Sequence, residues 1–178
     1  MRKLNSEKHK TLICTSFYSP ENGAAPHRIT TMSETLTGDV NVITPLPNYP
    51  TGKIFKNQLK WIFKKEMVNG VSVIRYLCLP SNSNLSALRM LSMMATSVMA
   101  FLTMCRHLLF NRDYRVVIVQ TPPLTSAFAY VSAARLFGLK VTLNVSDVWP
   151  STAVDLGAMK KGSLSWKLFI YFEKFIYK

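Results

Sequence analysis

Short runs of β-branched and aliphatic residues alternate along this chain with longer stretches of helical apolar spacing, and Gly, Pro and Asn punctuate the joins. Residues 11–17 read as a first buried strand, and Pro20, Asn22 and Gly23 mark the turn after it. Residues 24–36 predict a helix ended by Gly38, and Val40, Val42 and Ile43 open the next strand. That strand runs into the turn-rich segment TPLPNYPTGK. Asn69-Gly70 lies between two apolar runs and suits a two-residue type I′ turn, so residues 59–68 and 71–79 are expected to form a hairpin.

After the polar break PSNSN, residues 85–110 predict one long, methionine-rich helix. Residues 116–119 then form a core strand closed by Gln120-Thr121-Pro122-Pro123. Residues 124–137 return as a helix ended by Gly138, and residues 140–145 make a further, buried-looking strand. Alternation of this kind calls for an α/β fold: a single Rossmann-like domain over 11–178, with a mainly parallel sheet flanked by helices and a β-hairpin insertion near 59–79. Residues 1–10 read as a basic tail. Residues 163–178 carry aromatic residues at near-helical spacing and meet no glycine or proline stop, so the chain reads as cut short inside a helix.

Composition narrows the class. Of 178 residues about half are apolar, which excludes a disordered chain and leaves more apolar surface than a soluble domain of this size ordinarily needs. The net charge of +13, from 22 Lys and Arg against 9 Asp and Glu, favours polyanionic surfaces such as nucleic acid or anionic lipid headgroups. The basic residues are not interleaved with aromatics in a recognisable module, so no nucleic-acid partner is expected. Cys14, Cys78 and Cys105 are odd in number and far apart, which suits reduced core residues in a cytoplasmic protein, and no metal site is expected from them or from the three histidines. The start lacks the long apolar run of a signal peptide.

The helix at 85–110 holds sixteen uncharged residues between Arg89 and Arg106, fewer than the roughly twenty of a membrane span. Its apolar character suits either a packed core helix or one lying in a membrane interface. With Lys53, Lys56, Lys60, Lys64 and Lys65 close by, peripheral membrane contact through 53–65 and 85–110 is expected.

Ligands of open parallel sheets bind beyond the carboxyl ends of the strands, and three segments fall there. In SPENGAAPHR, Gly23 lets backbone approach a ligand and the following helix start favours an anionic group; an ordinary strand-to-helix turn is the plain alternative. Arg28 lies in the first turns of that helix, where a guanidinium can pair with phosphate or carboxylate. LPNYPTGK is a stiff loop that can wall a pocket or serve as a structural turn. In NVSDVWP, Asp147 follows a strand directly: it can face the crevice, cap the next turn or pair with a lysine.

Taken in order, SPENGAAPHR, PLPNYPTGK, NGVSVIRY, QTPPL, NVSDVWPSTAVDLGAM and the closing aromatic helix resemble the amino-terminal domain of bacterial family 4 glycosyltransferases, in particular WbuB-like enzymes of O-antigen and capsule synthesis. The resemblance implies half of a GT-B fold and retaining, cofactor-free transfer from a nucleotide sugar. The acceptor would be polyprenyl-diphosphate-linked or another glycan, at the inner face of the cell membrane. It places Gly23 near the donor diphosphate, Arg28, Asn48 and Tyr49 along the cleft, Trp149 in the substrate-binding set, and Asp147 beside the reacting sugar. The E-x7-E pair of such enzymes has no counterpart after Asp147, so the chain alone is expected to be inactive. A non-catalytic basic module that binds membrane or a partner chain is the alternative.

Overall fold

Side-chain parity along the strands divides the interior into two cores. The computed structural model describes residues 10–58, 61–83 and 85–178. The strands are β1 (Lys10–Cys14), β2 (Asp39–Pro45), β3 (Phe63–Val68), β4 (Val71–Tyr76), β5 (Tyr114–Thr121) and β6 (Val141–Val145). Between and after them lie α1 (Ala24–Thr35), α2 (Ser86–Phe110), α3 (Leu124–Leu136), α4 (Ser151–Asp155) and α5 (Leu164–Tyr177). They form one sheet of order β3-β4-β2-β1-β5-β6, parallel throughout except for β3 at one edge.

Ile13, Val42 and Val73 point to one face, where they meet Ile29 of α1 and Tyr18. Their neighbours Leu12, Cys14, Ile43 and Ile74 point to the other, against α2, α3 and α5. Successive residues of a strand face opposite sides, so runs apolar on both parities require helices on both faces. The chain therefore has the α/β, Rossmann-like architecture.

Local signals act where the pattern put them. Asn69 and Gly70 both have positive φ, 48° and 82°, as a type I′ turn demands. Gly138 ends α3 at φ 68°, and the bonds Gly138 N to Arg135 O (3.0 Å) and Leu139 N to Ala134 O (2.9 Å) complete a Schellman motif. Ser163 Oγ accepts the Trp166 N–H at 3.2 Å and caps α5, worth about 1 kcal/mol. From there Phe169, Phe172 and Ile176 are buried against α3, and Phe128 stacks on Phe172 with centroids 4.5 Å apart. Each such side chain contributes roughly 1.5–3 kcal/mol on burial.

Four expectations change. The hairpin lies within the sheet: β4 pairs in parallel with β2, from Asn41 opposite Ser72 to Pro45 opposite Tyr76, and only β3 is an added edge. Its first strand begins at Phe63, while Leu59 and Lys60 lie outside the described residues. Lys10 is not tail, since it opens β1 and pairs with Asp113 at 3.0 Å; residues 1–9 lie outside the described residues. β6 is an edge strand with Thr142 and Val145 exposed, because β5 is its one partner among the described residues.

By length and composition Ala87–Phe110 passes as a membrane span, with mean hydropathy 1.5. Its inner residues Ala100, Met104 and Leu108 are fully buried in the core, so a spanning orientation would strip that core. The outer face is another matter: Leu88, Leu91, Val98, Leu102 and Leu109 are exposed along one stripe.

Candidate functional site

The carboxyl ends of β1, β2, β5 and β6 open onto a crevice of about 250 Å³ walled by Gly23, Tyr49, Gln120, Ser146 and Asp147. Three segments that sequence reading marked separately thus meet in one place. Gly23 sits before α1 at φ 147°, and a Cβ there would approach Tyr49 Cε1 to 3.2 Å. Tyr49 stands edge-on to Phe17, centroids 5.5 Å apart, so the two rings form a ridge. On the far side of Phe17 lies a second cavity of about 170 Å³ that Asn48, Ser16 and Thr125 help to line.

Arg28 reaches from α1 to donate a hydrogen bond to Ser146 Oγ, tying the helix to the loop that carries Asp147. Asp147 itself is exposed and makes no ion pair or side-chain hydrogen bond among the described residues. No side chain caps α4, which removes the capping alternative, and no lysine among the described residues pairs with the carboxylate. An exposed, unpartnered carboxylate at a strand end is free to meet a ligand hydroxyl.

Two expected residues have other work. Trp149 turns into the core and packs on Phe169 of α5, with centroids 5.7 Å apart, so it links loop to helix and is not among the residues that line the crevice. Its apolar bulk has a better partner there than in water. Asn48 spends its side-chain amide on Leu46 O at 2.9 Å and Cys78 Sγ at 3.5 Å, which holds the loop and leaves Asn48 at the second cavity.

A residue that the sequence pattern does not mark organises the rim of the crevice. Glu21, 4 % exposed, accepts N–H groups from Asn48 (2.7 Å) and Tyr49 (2.9 Å) through Oε1, and from Tyr18 (3.2 Å) through Oε2. Burial raises its pKa, an effect only partly offset by those three backbone donors and the Arg75 charge. Arg75 of β4 is 1 % exposed and donates to Glu66, to Ser19 O and, at 3.5 Å, to Pro45 O. Glu66 is held below the ordinary glutamate range: burial acts to raise it, and the bonds from Arg75 and Lys64 prevail. Together these groups tie the turns after β1 and β2 into one rigid rim. Glu21 lies within the SPENG turn, and its burial, which depends on the loop after β2, is not written in the local sequence.

Farther in, Thr15 bonds Gln120 across β1 and β5, and Tyr130 OH joins Tyr76 OH at 2.8 Å. Lys64 is occupied by Glu66 and by Gln58 at 3.0 Å, so it adds little to a free basic patch. Cys14 and Cys78 are buried and Cys105 partly so, all three free; burial raises the Cys78 thiol to about 12.

No protein-family model matches this chain, and no curated protein sequence matches it. Among solved structures it is similar to the C-terminal domain of a hydrogenase from Pyrococcus furiosus, with TM-score 0.50 and 17 % identity, covering 76 % of this chain and 90 % of that one. At that identity the likeness shows the α/β fold alone.

Proposed function

We propose that this chain is the acceptor-side domain of a retaining glycosyltransferase that moves a sugar from a nucleotide donor to a lipid-linked or glycan hydroxyl. The observation that carries this is the meeting of Gly23, Tyr49, Ser146 and Asp147 in one crevice at the sheet's carboxyl edge. The start of α1 lines that crevice with Ala24 and Ala25, and a helix start suits a departing diphosphate, with Arg28 adding positive charge through its hold on Ser146. Asp147 orients the reacting sugar or the acceptor hydroxyl. A second Rossmann-like unit, with the acidic pair of such enzymes, supplies the opposite wall.

The exposed apolar stripe of α2 supports peripheral contact with the inner face of a membrane, strengthened by Lys53, Lys56 and Lys65. The same stripe favours the second reading, a non-catalytic membrane-bound module. Incubation with a labelled nucleotide sugar and a polyprenyl-diphosphate acceptor separates them. The chain alone is expected to bind the acceptor without turnover, and to turn over when a donor-binding unit is added. Turnover by the chain alone would overturn the one-wall proposal, and binding of neither substrate would leave the module.

A further inference from the structure

We propose that the chain binds a sugar-headed amphiphile in two joined compartments, with the head at the sheet edge and one hydrocarbon tail between α2, α3 and α5. This rests on the lipid-linked acceptor reading and names where on the chain each part of such an acceptor sits.

The tail compartment is a groove of about 440 Å³ lined by Met94, Val98, Phe101, Phe128, Leu168 and Phe172. It follows α3 from Thr125 to Ser132, two helical turns or about 10 Å, in the size range of ligand sites. Val98 is 58 % exposed and belongs both to the groove and to the outer stripe of α2, so a chain can enter from an apolar surface.

The head compartment is the cavity behind Phe17. Ser16, Ser81, Asn82, Ser92, Thr96 and Ser126 line it, and no charged side chain does. Neutral hydroxyl and amide groups exchange hydrogen bonds with the sugar part of such a molecule. Thr125 lines both compartments. It is 2 % exposed, and its Oγ1, like Ser16 Oγ, has no hydrogen-bond partner. A ligand that parts the wall at Thr125 gains a hydrogen bond that the free chain leaves unmade. A flat bilayer cannot enter a groove, and a free fatty acid brings one carboxylate where a sugar brings several donors and acceptors.

The test is calorimetric titration of the full chain with dodecyl maltoside below its micelle-forming concentration, beside maltose and dodecanoate. One saturable site for the maltoside is expected, with both controls weaker by about tenfold or more. Val98→Asp, at an exposed position that leaves the fold intact, should weaken the maltoside by about tenfold. Thr125→Val should weaken the maltoside and leave dodecanoate unchanged. Absence of a saturable site, equal affinity for dodecanoate, or indifference to Val98→Asp would overturn the proposal. Because binding is read without turnover, the two proposals fail separately: amphiphile binding without sugar transfer leaves the groove standing, whereas transfer to a water-soluble glycan without amphiphile binding leaves the transferase standing.

Discussion

Glu21 Oε1 accepts the backbone N–H of Asn48 at 2.7 Å, across 27 positions of sequence, and so fastens the loop after β2 to the turn after β1. Replacing the carboxylate by a methyl would leave the Tyr18, Asn48 and Tyr49 N–H groups without that acceptor. Glu21→Ala is expected to lose about 2–3 kcal/mol in urea unfolding, and Glu21→Gln less, since an amide oxygen still accepts. Equal stability of wild type and Glu21→Ala would show that the clamp contributes nothing.

Gly23 holds φ 147°, a region that side chains rarely adopt, and faces the Tyr49 ring. Gly23→Ala should cost roughly 1–2 kcal/mol by strain and by displacing that ring. Urea unfolding measures the cost, and loss of nucleotide-sugar binding in a competent preparation would follow from the shifted wall.

Arg75→Met should be clearly damaging, by about 2–3 kcal/mol, because it takes the buried donor from the Ser19 carbonyl and leaves Glu66 with Lys64 as its remaining cation among the described residues. A Glu66→Gln, Arg75→Met double variant is expected to recover part of the loss. Additive losses in that pair would argue against a coupled ion pair.

His107 predicts the acid behaviour. Burial, with the Lys10, Lys65 and Arg106 charges and against Asp113, holds its imidazole down at about 4 from an ordinary 6.5. The native ring stays neutral while the unfolded ring takes a proton, so its contribution is present above pH 6.5 and is lost as pH falls toward 4. Discounted for partial solvent screening, the loss is on the order of 1–2 kcal/mol. His107→Gln retains a partner for Tyr114 OH, now 2.5 Å from Nε2. Its stability, followed by urea unfolding, should change less over that interval than the wild type's.

Asp147→Asn should leave stability within about 0.5 kcal/mol, as for an exposed residue without partners. In a preparation competent for transfer its rate should fall about a hundredfold. An unchanged rate would remove Asp147 from the chemistry.

Much of the fold was legible because its signals are local. Parity in runs such as TLIC and DVNVIT, the Asn69-Gly70 turn and the glycine after α3 each depend on a few adjacent residues. The site was legible in part. Gly23, Tyr49 and Asp147 were marked by their place after strands, which topology then gathered into one crevice. For Trp149 the sequence does not say which of two apolar destinations an indole takes, and the fold packs it against Phe169.

By itself the sequence determined the order and type of the strands and the longer helices, and the apolar parity of the central strands. The tertiary structure alone decided that Glu21 would be buried under three backbone donors, that Arg75 would lie in the core, and that Thr125 would stand unpartnered between two cavities. Periodicity is a property of neighbours in the chain. Satisfaction of a buried polar group depends on which distant segments the fold brings within 3 Å of it.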